Sequence, residues 1–248
     1  MVSHQTRRRF LMGLGLTAGA ALTGCASSGS RARIVGMSAF DAQGGPSGYD
    51  SRATAYDSGI EPRYREMYDA MYDGGFRIPA VDLSRVNPIY YRQEVADPTG
   101  EAPGTVVVDA ANKFAYVVQP GGRAMRYGVG VGRAGMDWAG RAKIQFKRKW
   151  PTWTPPAEMI DRKPELSEYS AANGGMEPGV GNPLGARALY LFQNGKDTLY
   201  RLHGSPEYWT IGTNSSSGCI RFMNQDIIDL YNRVPSGAQV LVRQGGIA

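Results

Sequence analysis

Histidine and cysteine are scarce in this chain of 248 residues, which contains two of each. His4 and Cys25 lie near the amino terminus, so His203 and Cys219 are the pair left for the rest of the chain. One histidine and one cysteine without clustered carboxylates fall short of the protein ligands that a catalytic zinc site needs. We therefore expect no metal site, and we expect no other cofactor.

Long basic tracts are also missing beyond the opening segment. The chain has 28 Lys and Arg against 22 Asp and Glu, but Arg7, Arg8 and Arg9 lie among the first 24 residues. Residues 25–248 therefore carry 25 basic and 22 acidic residues, a net charge of +3. This mild excess argues against a nucleic-acid partner and suits a polymer that carries carboxylates. The glycine-rich residues 128–132 are not followed by a helical pattern, which argues against a dinucleotide site.

The apolar stretch at the amino terminus is too short for a comfortable membrane span. Residues 11–22 are apolar and rich in Gly and Ala, whereas a spanning helix needs about 20 such residues. They follow residues 6–12, which resemble a twin-arginine export signal, and precede residues 22–25, which resemble a bacterial lipobox. We predict a signal peptide over residues 1–25, with an ordinary secretory signal or an uncleaved anchor as the alternatives.

The lipobox resemblance implies that Cys25 carries the lipid that would hold the exported protein at a membrane. Ala26 and Ser27 follow it, and neither is the aspartate that often retains lipoproteins at the inner membrane. We therefore expect a periplasmic location at the outer membrane. Lipidation of Cys25 would leave Cys219 without an intramolecular partner, which suggests a reactive thiol.

The remaining chain divides into three segments. Residues 26–60 are rich in Ser, Gly, Ala and Arg, which is typical of a flexible tether. Residues 61–103 form an amino-terminal extension, in which apolar spacing predicts a helix over residues 62–72 and an irregular stretch over 81–96. Residues 104–243 form the body.

The body is predicted to be mainly β, as a sandwich or mixed sheet with one late helix. Asn194-Gly195 predicts a tight hairpin turn, and Asn224 is the predicted N-cap of the late helix. The predicted strands are residues 105–109, 114–118, 124–131, 142–149, 189–192, 199–202 and 239–242. Residues 150–185 are long and rich in Pro and Gly, so we predict either a lid over a substrate groove or a packed surface excursion anchored by Trp150 and Trp153.

His203 and Cys219 lie on either side of one loop of the body. His203 follows the strand pattern of residues 199–202, and Gly204 is predicted to let the backbone turn away. A thiol is nucleophilic only as the thiolate, so a neighbouring imidazole is a natural activator. The amides of Gly218 and Cys219 could converge on an oxyanion. Singly, each residue is better explained as structural; together, with glycine beside each, they indicate a nucleophile and its base.

These residues resemble the signature of the L,D-transpeptidase catalytic domain of the YkuD or ErfK type. The resemblance rests on His203-Gly204-Ser205 and on residues 216–221, Ser-Ser-Gly-Cys-Ile-Arg. It extends to residues 153–156, 182–190 and 235–237. The family often has His where this chain has Ser217, a departure that leaves the role of Ser217 open. The resemblance implies the β-sandwich fold of that family and covers about residues 104–243.

The resemblance also implies a reaction on peptidoglycan stem peptides. Cys219 would attack a tetrapeptide stem, His203 would take and return the proton, D-Ala would leave, and an acceptor amine would resolve the thioester. No Asp or Glu is obviously placed to orient His203, so we expect a backbone carbonyl near Gly204 or Ser205 to do so. Arg221 would hold a donor carboxylate, stabilise the thiolate or brace the loop.

Weaker candidates and other functions remain open at this point. Ser216 and Ser217 would contact substrate or shape the loop, and Tyr190 and Trp153 would line the groove. Water as acceptor would make a peptidase, and a lysine of an outer-membrane protein would make an enzyme that attaches proteins to the wall. A non-catalytic, lipid-anchored wall-binding module is the alternative of another class.

Overall fold

The computed structural model describes residues 59–132, 138–215 and 219–247, which all belong to one structural unit, residues 53–248. The predictions for the signal peptide, Cys25 and most of the tether lie outside these residues. So do Ser216, Ser217 and Gly218. Within the described ranges, no helix is both long and apolar enough to cross a membrane.

The described residues contain thirteen strands, three α-helices and five short 3-10 helices. The helices are α1 (Pro62–Met67), α2 (Ala157–Arg162) and α3 (Asn224–Arg233). The strands are β1 (Met71–Asp73), β2 (Phe76–Ile78), β3 (Gln93–Ala96), β4 (Val106–Asp109), β5 (Phe114–Gln119), β6 (Arg123–Gly128), β7 (Gly130–Gly132), β8 (Gly140–Lys149), β9 (Arg187–Gln193), β10 (Lys196–Ser205), β11 (Asn214–Ser215), β12 (Ile220–Met223) and β13 (Gln239–Arg243).

Strands β3 to β13 form one mixed sheet in the order β11-β7-β12-β10-β9-β8-β13-β4-β5-β6-β3. Parallel pairs join β10 to β12, β13 to β4 and β11 to β7, and the other neighbours are antiparallel. The prediction of a mainly β body with a late helix is confirmed. The Asn194-Gly195 hairpin is also confirmed, because both residues have positive φ, 52° and 77°, between β9 and β10.

One face of the sheet packs against α3. Leu189, Leu202 and Ile220 are fully buried and occupy successive strands, where they meet Ile227 and Leu230 of the helix. Burial of each such side chain contributes about 1.5–3 kcal/mol. This apolar face fixes which residues of β9, β10 and β12 point to the opposite face, because side chains alternate along a strand.

The predicted helix over residues 62–72 is wrong beyond Met67. Residues 71–78 instead form the β1–β2 hairpin, whose turn residues Gly74 and Gly75 both have positive φ, 58° and 89°. That backbone matches a tight hairpin turn, which overrides the helical spacing of the apolar residues. Residues 93–96, predicted to be irregular, form β3 on the edge of the sheet beside β6.

Two further predictions need correction. Residues 124–131 form two strands, since β6 pairs with β5 and β3, whereas β7 pairs with β12 and β11. Asn224 is the first residue of α3 and Met223 is its N-cap. The Asn224 side chain is used elsewhere: its Oδ1 accepts a hydrogen bond from the Ala186 N–H at 2.9 Å.

Residues 150–185 are an ordered excursion whose base is held by hydrogen bonds. The segment contains α2 and two short 3-10 helices, Pro164–Tyr169 and Ala171–Asn173. Trp153 and Met176 form a two-residue bridge. The Asn182 Nδ2 donates to the carbonyls of Pro151, Met176 and Glu177, each at 3.1 Å. These contacts favour the packed excursion at its base, and movement of the segment as a lid stays a prediction.

Candidate active site

His203 and Cys219 are carried by two neighbouring parallel strands. His203 lies in β10, and Cys219 is the residue directly before β12. The register pairs Leu202 with Ile220 and His203 with Arg221. Both members of the first pair are fully buried against α3, so the apolar pattern sets this register.

Alternation along the two strands places four functional side chains on the face opposite α3. His203 and Arg201 share that face on β10, and Arg221 and Cys219 share it beside them, on β12 and directly before it. Continuing the register by one position sets Cys219 beside Arg201, whose backbone hydrogen-bonds to Cys219. Adjacent strands lie about 4.8 Å apart, which brings His203 and Cys219 together as diagonal neighbours.

His203 is held as a neutral imidazole by its surroundings. The side chain is buried, with 5% of the residue exposed, and its Nδ1 lies 2.6 Å from the Gly204 carbonyl oxygen. A carbonyl only accepts, so Nδ1 donates, and in the neutral ring Nε2 carries the lone pair that can act as a base. This is the backbone carbonyl expected from the sequence. Burial lowers the pKa of His203 to about 4, with help from Arg221 and Arg201 and against the Gly204 and Pro183 carbonyls.

Cys219 rests as a thiol rather than a thiolate. The residue is partly exposed at the surface, yet enough protein surrounds the sulfur that desolvation raises its pKa. The backbone hydrogen bond from Arg201 and the charges of Arg201 and Arg221 act in the opposite direction. A buried neutral imidazole beside a thiol can take the proton during attack, whereas a preformed ion pair would need an imidazolium.

Gly204 is required for close packing and not for a turn. Strand β10 runs through Gly204 to Ser205, so the predicted change of direction at this glycine is wrong. A Cβ on Gly204 would lie 2.3 Å from the Asn224 Oδ1 and 3.0 Å from the Ile227 side chain. The absence of a side chain lets α3 and its Asn224 approach the strand that carries His203.

Two arginines on the site face are paired with carboxylates. Arg221 is bonded to Glu207 at 2.8 Å. Arg201 makes a two-pronged contact with Asp197, at 2.7 and 2.8 Å. Its guanidinium also lies 4.4 Å from the centre of the Tyr190 ring, so Tyr190 lies on the site face, and its role as a groove residue stays a prediction.

The model of the L,D-transpeptidase catalytic domain family, YkuD, matches residues 103–242, which is more than half of the chain. The chain belongs to the L,D-transpeptidase catalytic domain family. Membership agrees with the shared face of His203 and Cys219.

Curated relatives are similar over the same region. The probable L,D-transpeptidase YbiS of Escherichia coli strain K12 is 31% identical over 60% of this chain and 47% of its own length. The probable L,D-transpeptidase YcfS of the same strain is 34% identical over 54% of this chain and 42% of its own length. The chain thus spans about half the length of the curated relatives that it matches.

A solved structure titled as a probable carnitine operon oxidoreductase from Brucella melitensis is 44% identical. It covers 65% of this chain and 99% of its own, with a TM-score of 0.45. That score is too low to establish a common fold by itself, so membership rests on the family match.

Trp153 is the other described residue that was predicted to line the groove of the L,D-transpeptidase site. Trp153 bridges Met176 and packs near Tyr169, with 6.4 Å between ring centres. No hydrogen bond or ring contact among the described residues joins Trp153 to His203 or Cys219. The excursion nevertheless reaches the site through Pro183, whose carbonyl interacts with His203.

Sequence reasoning missed Arg201, Asp197 and Glu207. Arg201 could have been found, because it lies two residues before His203 and strand alternation places both on one face. Glu207 could not, since only the folded loop brings it to Arg221. In the part of the chain that the structure describes, no group of three or more His, Cys, Asp or Glu side chains is arranged to hold a metal ion.

Proposed function

We propose that this protein is a peptidoglycan L,D-transpeptidase in which Cys219 is the nucleophile and His203 the general base. The observation that supports it is the placement of both residues on one face of adjacent strands, with Nδ1 of His203 bonded to the Gly204 carbonyl. In the neutral ring that bond leaves the proton on Nδ1 and the lone pair on Nε2, as a base for the thiol requires.

The proposed reaction has two steps. The Cys219 sulfur attacks the carbonyl between the third residue of a tetrapeptide stem and the terminal D-Ala, while its proton passes to His203. The amides of Gly218 and Cys219 would stabilise the oxyanion. His203 then protonates the amine of the departing D-Ala, and a thioester remains. An acceptor amine attacks the thioester, losing its proton, and the thiol is regenerated as the cross-link forms.

Arg221 is the proposed contact for a donor carboxylate. Its side chain shares the face of Cys219 and is already bonded to the half-exposed Glu207 carboxylate. A substrate carboxylate could take the place of Glu207, since arginine binds carboxylates with two parallel hydrogen bonds.

We further propose that the protein is exported and held by a lipid on Cys25 at the periplasmic face of the outer membrane. The basic start, the short apolar core and the position of Cys25 support this reading. Replacing Cys25 with Ser should abolish incorporation of labelled fatty acid and release the protein from the membrane fraction. Retention of label in Cys25→Ser would disprove lipidation at this residue.

The test of the reaction uses the full-length protein, purified tetrapeptide muropeptides and Cys219→Ala as control. Intact mass, free D-Ala and cross-linked products are followed together. A thioester adduct, released D-Ala and stem dimers in the wild type alone would establish transpeptidation. An adduct and D-Ala without dimers would identify water or a protein lysine as acceptor. No adduct would overturn the proposal and favour a wall-binding module.

A further inference from the structure

A cleft of about 470 Å³ lies beside the site face and is lined by cations without any acidic residue. Its lining residues are Lys147, Arg148, Lys149, Trp150, Pro151, Thr152 and Tyr190. The volume is typical of small-ligand sites, which occupy about 300–1,000 Å³. Tyr190 connects the cleft to the site, because its ring also contacts Arg201.

Arg148 is the cation that this cleft leaves available. The Lys147 ammonium instead donates to the carbonyls of Tyr231 and Val234 at 2.8 and 2.7 Å. Lys149 shares the face of Lys147, two residues before it on β8, and therefore points away from the face of Arg148. Arg148 is exposed and forms no ion pair with any described carboxylate, and its guanidinium lies 5.6 Å from the Phe146 ring centre.

The strand register places Arg148 in the same row across the sheet as His203 and Arg221. Arg148 pairs with Ala188 of β9, Ala188 pairs with His203 of β10, and His203 pairs with Arg221 of β12. All four therefore lie on the same face of the sheet. Burial raises the pKa of Tyr190, and the charges of Arg201 and Arg148 both act against that rise.

Sheet geometry sets the length of ligand that could join Arg148 to Cys219. Strands β8 and β12 are three strands apart, which corresponds to about 14 Å at about 4.8 Å per strand. An extended peptide rises about 3.4 Å per residue, and the arginine side chain reaches part of the way. Because the arginine side chain covers roughly half of this distance, a group held at Arg148 would belong to a residue roughly one or two positions before the one whose carbonyl reacts.

We propose that Arg148 and its cleft bind a carboxylate of the donor stem, on the amino-terminal side of the residue that is acylated. The proposal rests on the proposed transpeptidase function for the identity of the ligand. The Arg148 guanidinium can donate two parallel hydrogen bonds to a carboxylate. The Tyr190 ring then lies between that carboxylate and Arg201. Arg148 is a specificity residue in this arrangement and takes no part in the chemistry.

The test measures binding of two stem tetrapeptides, one with a free carboxylate on its second residue and one with that carboxylate amidated. Full-length Cys219→Ala protein is titrated by calorimetry, so binding is read without turnover. We expect the free carboxylate to bind about tenfold more tightly, equivalent to about 1.4 kcal/mol. The preference should weaken as salt is added, because the site is exposed.

Arg148→Gln and Lys143→Gln, each added to the Cys219→Ala background, form a matched pair. Both remove one positive charge from β8, but Lys143 does not line the cleft. Arg148→Gln should abolish the preference for the carboxylate, Arg148→Lys should restore part of it, and Lys143→Gln should leave it unchanged. An equal preference in Arg148→Gln and the parent, or an equal loss in Lys143→Gln, would overturn the site.

Turnover by the otherwise wild-type protein separates this proposal from the proposed function. Arg148→Gln should raise the KM for the free-carboxylate stem about tenfold with little change in kcat, since uniform binding is lost. If no stem is turned over but the carboxylate preference is present and needs Arg148, the transpeptidase proposal fails and the binding site stands. If neither stem binds, the binding site fails.

Discussion

At the scale of single residues, the protonation states of the site depend on desolvation as much as on neighbouring charges. His203 and Cys219 both sit where burial disfavours their charged forms, so the pKa of the imidazole falls and that of the thiol rises. Arg201 and Arg221 partly offset the effect on the thiol. The pair therefore rests neutral and becomes charged only as the proton moves.

Alkylation of Cys219 by iodoacetamide should report this resting state. His203 is neutral above its pKa of about 4, and the raised pKa of the thiol means that thiolate forms only in alkaline solution. The rate should rise throughout the neutral range and into the alkaline range, as measured by intact mass between pH 4 and 10. A plateau already present at pH 6 would show a preformed ion pair and contradict the prediction.

Gly204→Ala should lower both stability and activity. The new Cβ would meet the Asn224 Oδ1 at 2.3 Å, and overpacking of this kind costs about 1–3 kcal/mol. The shift would also move the Gly204 carbonyl that holds His203. Urea unfolding and the alkylation rate measure the two effects. Gly181→Ala is the control, because its Cβ would meet nothing within 4 Å, and equal behaviour of the two variants would contradict the prediction.

At the scale of elements, the amino-terminal hairpin braces the segment that leads to the site. Asp73, the last residue of β1, bonds Arg187 through both carboxylate oxygens at 2.7 Å. It also accepts from the Trp150 Nε1 at 2.7 Å. Arg187 begins β9 and Trp150 begins the excursion, so one carboxylate ties the hairpin to both.

Asp73→Asn should destabilise the protein by about 3 kcal/mol at pH 7, because it leaves the buried Arg187 without its anion. Hydrogen bonds from Arg187 lower the pKa of Asp73. The ionised Asp73 carboxylate therefore stabilises the protein fully above the unfolded-state pKa, and this stabilisation is lost as the pH falls through the lowered folded-state pKa. The difference in the free energy of unfolding between Asp73→Asn and the wild type should therefore shrink in acid.

Urea unfolding at pH 7 and pH 3 measures this difference. Asp161→Asn, an exposed position on α2, should change the free energy of unfolding by less than about 0.5 kcal/mol. If Asp73→Asn lowers the free energy of unfolding no more than Asp161→Asn does, the stabilising role of Asp73 is contradicted.

At the scale of the whole molecule, residues 61–103 are part of the folded body rather than an appendage. Tyr68 is almost fully buried, and its hydroxyl donates to the Asp226 Oδ2 at 3.1 Å and accepts from the Arg92 N–H at 2.6 Å. Burial raises the pKa of Asp226 to about 7. Tyr91 and Tyr68 also pack in one cluster with Met223, four residues after Cys219.

Removal of residues 1–103 should therefore weaken the catalytic body although the family match begins at residue 103. Loss of β3 would make β6 an unpaired edge strand, and loss of Tyr68 would remove the hydroxyl partner of Asp226. We expect a lower urea midpoint and aggregation of the shortened chain. A chain that begins at Gly59 is the control, and equal midpoints for the two would contradict the prediction.

Much of the body could be predicted from sequence because its signals are local. Alternating apolar residues indicated β8, and Asn194-Gly195 indicated the β9–β10 turn, whose conformation depends on its own two residues. His203 and Cys219 stood out because they are scarce and flanked by glycine. The helix predicted over residues 62–72 is present as far as Met67 and wrong beyond it, because the apolar spacing is ambiguous until the Gly74–Gly75 turn pairs the strands.

The sequence alone determined the family, the mainly β body and the identity of a candidate nucleophile and base, since each depends on residue type and near neighbours. Tertiary structure decided what surrounds them. The parallel pairing of β10 with β12 joins residues 18 positions apart, which sets His203 and Cys219, 16 positions apart, on one face as diagonal neighbours. The Gly204 carbonyl, the Glu207–Arg221 pair and the Arg148 cleft follow from that pairing and from loop closure, because contacts between distant segments are set by packing and register, which local sequence does not encode.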